Sequence, residues 1–465
     1  MWLSAVETLL PYQTHYPNVM SKLGRRSHRG RSLLLVASSV LVICATGATA
    51  VQENIHLETF DEAWRIIAET HWDPEFMGVD WEAVRQELRP RAAEAASVVD
   101  LRGVIREMLS RLGQSHFALW PGDAIGNIRA DDGDTAAGSG GDPGFEVVLV
   151  GDQFVVSVVD PKGPAAEVGV ATGWVLQRAG SYEITGSAVP QVEDVDEHML
   201  RVEAQMAMRR RLSGSPGSTI RFGFLDENDR SRLVEIEVEQ AAGELSQFGN
   251  LPPTFAALES KLLQSDSKLE VGVITFNIWL PVISRLFDAA IDQMRHADGI
   301  VLDLRGNPGG LGGMVMGIGG HFVDENLSLG TMRTRESSLQ FITNPRRIDT
   351  SGSLVEPYAG LLAILMDNTS ASTSEVFAGG LQAIGRARIF GQRSMGAVLP
   401  SLTDELPNGD VLQHAFADFV ISETGVRLEG RGVIPDEVVD VARSDLVDGH
   451  DPVLESAIEW IEQHR

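Results

Sequence analysis

Short, fully apolar runs alternate with helical stretches in the second half of this 465-residue chain. The runs predict strands at 271–276, 300–304 and 361–366, and the stretches predict helices at 284–296 and 373–384. A strand that is apolar on both faces needs helices to cover it. The pattern therefore predicts an α/β core, which we place within residues 242–465.

The charge of the chain limits the partners it can have. There are 65 acidic residues against 38 lysines and arginines, a formal net charge of −27. Such a field repels nucleic acid and anionic membrane surfaces unless a basic patch intervenes. The only basic cluster lies at residues 25–31, so we expect no nucleic-acid partner, and we do not expect a charged partner to be an anion.

That basic cluster opens a pattern typical of a secretory signal peptide. It is followed by an apolar run at 33–45 and by the small residues Ala48, Thr49 and Ala50. We assign residues 1–50 to a signal peptide cleaved near Ala50 and expect a periplasmic or secreted protein. The apolar run is shorter than the roughly 20 residues of a spanning helix, so no stable membrane span is expected in the mature chain; an uncleaved anchor is the alternative. Cleavage would remove Cys44, the only cysteine, and with it disulfides and thiol chemistry.

Three further segments separate the signal from the core. Apolar residues recur at helical spacing in residues 51–121, which predicts a helical N-terminal segment. Residues 122–143 are rich in Gly, Asp, Ala and Ser and read as a linker. Short apolar runs with glycine-containing turns predict a small β-rich domain at 144–241.

Two turns of the core carry residues suited to acyl chemistry. Ser372 follows the last buried run and precedes Glu375 by three residues, which predicts a helix N-terminus. Unpaired N–H groups and the positive end of the helix dipole can stabilise an oxyanion there. The glycine-rich turn at 306–313 could bring backbone N–H groups close to a bound chain. Taken alone, Ser372 could be only a helix cap, and the turn lacks the Lys-Ser/Thr of a phosphate loop.

Three ordered motifs resemble the core of the tail-specific, or C-terminal-processing, serine peptidases. The motifs are DLRGNPGG at 303–310, SASTSE at 370–375 and GQRSMG at 391–396. The resemblance implies a crotonase- or ClpP-like core in which Ser372 is the nucleophile. It also implies that the oxyanion is bound by the amide of Thr373 and that of Gly309 or Gly310.

Position 397 departs from the lysine-dependent branch of this family, because Ala397 stands where that branch has its general base. LGQSHF, which contains Ser115 and His116, resembles an element of the tricorn-core branch, which uses a Ser-His-Ser-Glu tetrad. EGRGVIPD, which begins at Glu429, resembles the closing element of that branch. The resemblance therefore implies that His116 is the base and that Ser115 and Glu429 orient it. Three histidines of the core stay in reserve as bases: His296, His321 and His414.

The β-rich domain resembles a PDZ domain around residues 144–145 and 163–176. The resemblance implies that a peptide C-terminus adds to a sheet edge, with its carboxylate held near Gly144 and Phe145. Trp174 stands where such domains often have aspartate. A PDZ-like clamp without a ligand of its own is the alternative.

The sequence thus predicts a serine endopeptidase that cleaves peptides or unfolded protein tails through an acyl-enzyme on Ser372. We expect no cofactor and no metal site, because no motif has metal-ligand spacing. A catalytically inactive peptide-binding relative is one alternative, motivated by Ala397. Acyl-group chemistry on a non-peptide substrate is another. The pattern leaves the oligomeric state open.

Overall fold

The computed structural model describes residues 55–122, 140–189, 196–247 and 253–465. The predicted signal peptide, its cleavage point and most of the predicted linker lie outside the described residues. Within the described ranges, every helix is too short or too polar to span a lipid bilayer.

The first described segment is helical, as predicted. Its elements are α1 (residues 55–70), a 3-10 turn (Phe76–Gly78), α2 (Trp81–Ala93), α3 (Val98–Ser110) and a short strand, β1 (Ala118–Trp120). Asp80 and Ser97 cap α2 and α3, because their side chains accept hydrogen bonds from the first helical turn. The apolar faces of the three helices form one cluster, which includes Phe60, Leu88, Leu101 and Ile105.

A β-rich domain follows. Its elements are β2 (Gly141–Asp142), β3 (Phe145–Val150), β4 (Gln153–Val159), α4 (Pro164–Glu167), β5 (Val175–Ala179), β6 (Tyr182–Glu183), α5 (Glu197–Leu212), β7 (Thr219–Leu225), β8 (Ser231–Glu237) and β9 (Glu239–Gln240). The main sheet is antiparallel in the order β3-β4-β5-β7-β8, with β6 beside β5. Residues Met208 and Leu212 of α5 pack with Phe145 and Val147 of β3. Strand β2 pairs with β9 and lies in the range assigned to the linker.

The remaining elements build the α/β core. They are β10 (Glu244–Ser246), β11 (Thr254–Ala256), β12 (Leu258–Gln264), β13 (Glu270–Phe276), α6 (Pro281–Met294), β14 (Gly299–Asp303), α7 (Met314–Gly319), β15 (Ser328–Arg333), β16 (Ser338–Ile342), β17 (Leu361–Met366), α8 (Thr373–Ala383), β18 (Arg388–Gly391), β19 (Ser401–Glu405), β20 (Val411–Ala415), β21 (Asp418–Val420), β22 (Glu437–Val438), α9 (Arg443–Val447) and α10 (Pro452–His464). The five predicted elements of the core correspond to β13, β14, β17, α6 and α8.

The central sheet of the core explains why its strands are apolar throughout. Its order is β12-β13-β14-β17-β18-β22, parallel except for β12. On β14, Ile300 and Leu302 pack in the cluster that contains α6 and α8, whereas Val301 packs in the cluster that contains α10. Because β14 and β17 are parallel neighbours, the turns that follow them lie at the same edge of the sheet. Those turns contain the glycine motif and Ser372.

The helical segment is anchored to the core by a strand pair and a buried ion pair. Strand β1 is antiparallel to β20. The Arg102 guanidinium donates to both carboxylate oxygens of Asp410, at 2.9 and 2.7 Å. The Asp410 side chain is fully buried. Burial opposes its ionisation, but the hydrogen bonds from Arg102 hold the pKa of Asp410 below its usual value.

We expect Arg102→Ala to lower the free energy of unfolding by about 3–5 kcal/mol, because it leaves the Asp410 charge buried and uncompensated. Urea denaturation measures this loss. The matched control is Arg221→Ala, which breaks an exposed pair with Glu235 between β7 and β8 and should cost at most about 1 kcal/mol. Equal losses in the two variants would contradict the anchoring role of Arg102.

Candidate active site

Ser372 lies in a tight turn between β17 and α8, at the N-cap of α8. Its φ of 53° is in the left-handed region, which is costly for any residue with a Cβ. The turn is held by Asp367, whose carboxylate accepts the N–H groups of Thr369 and Ser370, and by the Ser370 hydroxyl, which donates to the Leu304 carbonyl. These hydrogen bonds hold the backbone of Ser372 in its strained conformation. Ser372 is only half-buried.

The glycine turn lies directly against Ser372. A Cβ placed on Gly309 would lie 2.6 Å from the Ser372 Cβ, and one placed on Gly310 would overlap the Trp279 carbonyl oxygen. Both glycines have positive φ, 96° and 141°. The Thr373 hydroxyl donates to the Gly310 carbonyl at 2.8 Å and so joins the turn to α8. The close approach needs glycine at both positions.

The backbone N–H groups around Ser372 differ in their partners. The Gly309 N–H donates to the Asn307 side chain at 2.9 Å. Among the described residues, no acceptor takes the N–H of Gly310 or that of Thr373. Two unpaired donors therefore lie beside the serine, the arrangement that an oxyanion requires.

Ser115, His116 and Glu429 form one hydrogen-bonded series. The Ser115 hydroxyl donates to Glu429 Oε2 at 2.9 Å, and the Ser115 N–H donates to Glu429 Oε1 at 2.8 Å. His116 Nδ1 lies 2.8 Å from Ser115 Oγ. Because the only hydroxyl proton of Ser115 points to the carboxylate, its oxygen accepts the Nδ1–H of His116. His116 Nε2 then carries the lone pair that a general base needs.

Burial shifts the ionisation of both titratable members of this series. It lowers the pKa of His116 to about 4, so the imidazole is neutral at neutral pH. Burial also raises the pKa of Glu429, against hydrogen bonds from Ser115 and Val398 that favour its charged form. His116 has a φ of 62° and, like Ser372, is held in the left-handed region.

A short segment connects this series to Ser372. The Ser372 N–H donates to the Ala397 carbonyl at 2.9 Å, and the next residue, Val398, donates its N–H to Glu429 Oε2 at 3.0 Å. Among the described residues, no hydrogen bond joins His116 to Ser372. Catalytic hydrogen bonds often tighten only when substrate is bound. Ser372 and Glu429 therefore both contact the segment that contains Ala397.

The reserve histidines have other partners. His321 Nε2 lies 2.8 Å from Asp288, and His414 lies between Thr70 and Asp404, at 3.0 and 2.8 Å. His296 lines a separate cleft with Tyr358. In the described part of the chain, none of the three is hydrogen-bonded to Ser372.

The predicted peptide-binding residues Gly144 and Phe145 begin the edge strand of the β-rich domain. The Gly144 N–H donates to the Asp142 carboxylate at 2.7 Å. On the same strand, the Val147 carbonyl accepts a hydrogen bond from Gln205 of α5. A cleft of about 430 Å³ lies between this strand and the core, lined in part by Glu146, Arg209, Phe255 and Arg305. The peptide-binding role of Gly144 and Phe145 stays a prediction.

Sequence reasoning missed two features of the site. Nothing local to Glu429 or Val398 in the sequence indicates that the Val398 N–H donates to the Glu429 carboxylate. The Ser-x-x-Glu pattern correctly predicts that Glu375 accepts the Ser372 N–H, at 3.0 Å, but it does not predict the three other donors around that carboxylate.

Comparisons with known proteins match two ranges of the chain to protein families. Residues 270–439 match the model of Peptidase family S41, and residues 53–110 match that of the Tricorn protease C1 domain. The first match contains the glycine turn, Ser372 and Glu429. The second covers most of the helical segment.

Two curated relatives are proteases by name. A "Carboxyl-terminal-processing protease" of Picosynechococcus sp. is 23% identical over 385 residues, which cover 81% of this chain and 82% of that protein. A "Probable CtpA-like serine protease" of Staphylococcus aureus is 25% identical over 305 residues, which cover 64% of this chain and 53% of the relative. The chain therefore spans about half the length of the staphylococcal protein.

A solved structure shares the fold. The "Photosystem II D1 C-terminal processing protease" superposes with a TM-score of 0.53 at 19% identity, over 83% of this chain and 93% of that one. This likeness bears out the α/β peptidase core with a helical segment and a β-rich domain. It concerns the fold alone.

Proposed function

Because the chain belongs to the tail-specific, or S41, family of serine-type peptidases, we propose that it cleaves peptides or unfolded protein tails through an acyl-enzyme on Ser372. The observation that carries the proposal is the series from Glu429 through Ser115 to His116. It supplies a neutral imidazole whose Nε2 has no hydrogen-bond partner among the described residues, in a site where position 397 offers no lysine.

In the proposed reaction, His116 Nε2 takes the proton of the Ser372 hydroxyl while its oxygen attacks the scissile carbonyl. The carbonyl oxygen becomes an oxyanion, which the N–H groups of Thr373 and Gly310 stabilise by roughly 3 kcal/mol per donor. His116 then gives the proton to the leaving amine. Water then attacks the acyl-enzyme while His116 Nε2 takes a proton from it. The bond between the acyl carbon and the Ser372 oxygen breaks, His116 returns the proton to that oxygen, and the acid product is released.

The relay residues act on the imidazolium that forms in the first step. Its Nδ1–H donates to Ser115 Oγ, and the Ser115 hydroxyl donates to the Glu429 carboxylate. The negative charge of Glu429 then stabilises the positive ring across the serine. Ser115 and Glu429 are in this way positioning residues for His116.

The compartment is proposed from the sequence alone. A signal peptide over residues 1–50 would send the mature chain to the periplasm or the medium.

Glu429→Gln tests the relay. We expect kcat/KM to fall by about 10²–10⁴-fold, because the neutral amide neither stabilises the imidazolium nor keeps the Ser115 hydrogen bond in one direction. Cleavage of an unstructured peptide, followed by mass spectrometry, measures the loss. Glu423→Gln, at an exposed carboxylate six residues earlier, is the matched control and should be unchanged. Wild-type activity in Glu429→Gln would exclude a relay role.

Labelling with a fluorophosphonate, together with peptide cleavage, separates the candidate functions. The proposed peptidase labels at Ser372 and cleaves peptides between internal residues. Peptide binding with neither labelling nor cleavage would instead support the inactive relative suggested by Ala397. Labelling without peptide cleavage would favour acyl chemistry on another substrate.

A further inference from the structure

Glu375 is completely buried, yet four donors surround its carboxylate. Oε2 accepts the N–H groups of Ser372 and Ala397, at 3.0 and 2.9 Å. Oε1 accepts the Gly396 N–H at 2.7 Å and the Ser394 hydroxyl at 2.5 Å. Glu375 accepts all four hydrogen bonds, as an ionised carboxylate does. If Glu375 were protonated, its own hydroxyl hydrogen would point at one of the four donors.

These contacts tie the nucleophile to the segment 394–398. One oxygen of Glu375 holds both Ser372 and Ala397, and the following residue, Val398, binds Glu429. The carboxylate therefore joins the two halves of the candidate site, in addition to the backbone bonds from the Ser372 N–H to the Ala397 carbonyl and from the Met395 N–H to the Ser370 carbonyl. No other side chain of the described residues bonds to both Ser372 and this segment.

We propose that Glu375 is a positioning residue whose ionised carboxylate holds segment 394–398 against Ser372, and that protonation of this carboxylate releases the segment and slows acylation. The inference rests on the proposed function, because the effect of Glu375 on a reaction rate can be measured only if Ser372 reacts.

The surroundings of Glu375 make its ionisation sensitive to pH near neutrality. Burial raises the pKa of Glu375 to about 7, although the four hydrogen bonds oppose the rise. No charged side chain in the described residues contacts the carboxylate. Titratable and charged groups lie instead around segment 394–398. His198 of α5 contacts the Ser394 carbonyl, and Glu429 accepts the Val398 N–H. Arg393 precedes Ser394 in the chain. Burial lowers the pKa of His198 below its usual value.

Two groups thus define different acid limits for activity. With the pKa of His116 at about 4, loss of the base alone would leave activity intact down to about pH 4. If Glu375 must be ionised, activity instead falls below about pH 7. Because burial also raises the pKa of Glu429, only an acid limb that changes with the contacts of Glu375 separates a positioning role of Glu375 from a merely structural one.

The test is the rate of fluorophosphonate labelling between pH 4 and 9, measured for wild type, Glu375→Gln and Ser394→Ala. We expect a wild-type acid limb near pH 7. In Glu375→Gln this limb should vanish, with at least a tenfold loss of rate at pH 8. In Ser394→Ala the limb should move to higher pH, because the charged form loses a donor. The control is Ser456→Ala, which removes a hydroxyl from α10 and should leave the profile unchanged.

Hydrogen exchange of the Gly396 and Ala397 amides gives a readout that is independent of turnover. After correction for the intrinsic effect of pH, their protection should fall below pH 7 in wild type. If wild type labels at no pH, the proposed function fails, and this exchange still decides the role of Glu375. The proposal is overturned if the two amides stay protected below pH 7, or if wild type and Ser394→Ala share one acid limb. Ser394→Ala keeps the test decisive if Glu375→Gln does not fold.

Discussion

Replacing Ser372 with alanine is expected to lower kcat/KM for peptide cleavage by roughly 10⁴–10⁶-fold and to abolish labelling by a fluorophosphonate. The side chain carries the attacking oxygen, so its removal leaves only the oxyanion donors and substrate binding. Alanine tolerates the φ of 53° no worse than serine does, and the backbone contacts of the turn remain. The loss should therefore occur without unfolding, which circular dichroism can check.

The control for this variant is Ser456→Ala, the same substitution in α10 of the same domain. It should label and cleave like wild type. Labelling that persists in Ser372→Ala, mapped by mass spectrometry to another residue, would show that the reactive serine lies elsewhere.

A second loss of similar size is expected when His116 is replaced with asparagine. Asparagine is chosen because it tolerates the left-handed φ of 62° better than most residues, so the chain path around Ser115 is preserved. The variant keeps a polar side chain but has no imidazole to accept the Ser372 proton. We expect roughly a 10⁴-fold or larger fall in kcat/KM, measured together with the labelling rate.

The double variant of Ser372→Ala and His116→Asn should be no less active than the poorer single variant, because the two residues act as one unit. His450→Asn, at an exposed histidine paired with Glu455, is the control for the substitution type. If His116→Asn labels at the wild-type rate, His116 is not the base.

Much of the core could be predicted because the requirement on its strands can be recognised within a few consecutive residues of the sequence. A strand covered on both faces must be apolar at every position, and β14 and β17 are recognisable on that ground alone. The start of α6 was predicted at residue 284, whereas the helix begins at Pro281. Proline is favoured in the first turn of a helix, where its missing N–H has no partner to lose.

The site was less accessible to sequence reasoning because its contacts are distant along the chain. Ser115 and Glu429 were paired only through a family resemblance, since 314 positions separate them and no spacing rule connects them. The choice between Gly309 and Gly310 depended on where the Asn307 side chain points, which the sequence does not encode locally. The environment of Glu375 depends in the same way on the path of segment 394–398.

The proposed base, His116, and the proposed nucleophile, Ser372, lie in parts of the chain that have separate hydrophobic clusters. The helices that precede His116 pack mainly on one another, and only Leu406 and Leu412 represent the core in their cluster. Their attachment to the core includes the β1–β20 pair, the Arg102 ion pair and the bonds from Arg335 to backbone carbonyls of α1 and the turn after it. Hydrogen bonds from Ser115 to Glu429 and between Thr70 and His414 add to it. Such a unit can open on its own, before the central sheet does. We therefore expect heating to displace the proposed base, His116, while the turn of Ser372 is still folded, so that activity is lost below the melting temperature of the central sheet.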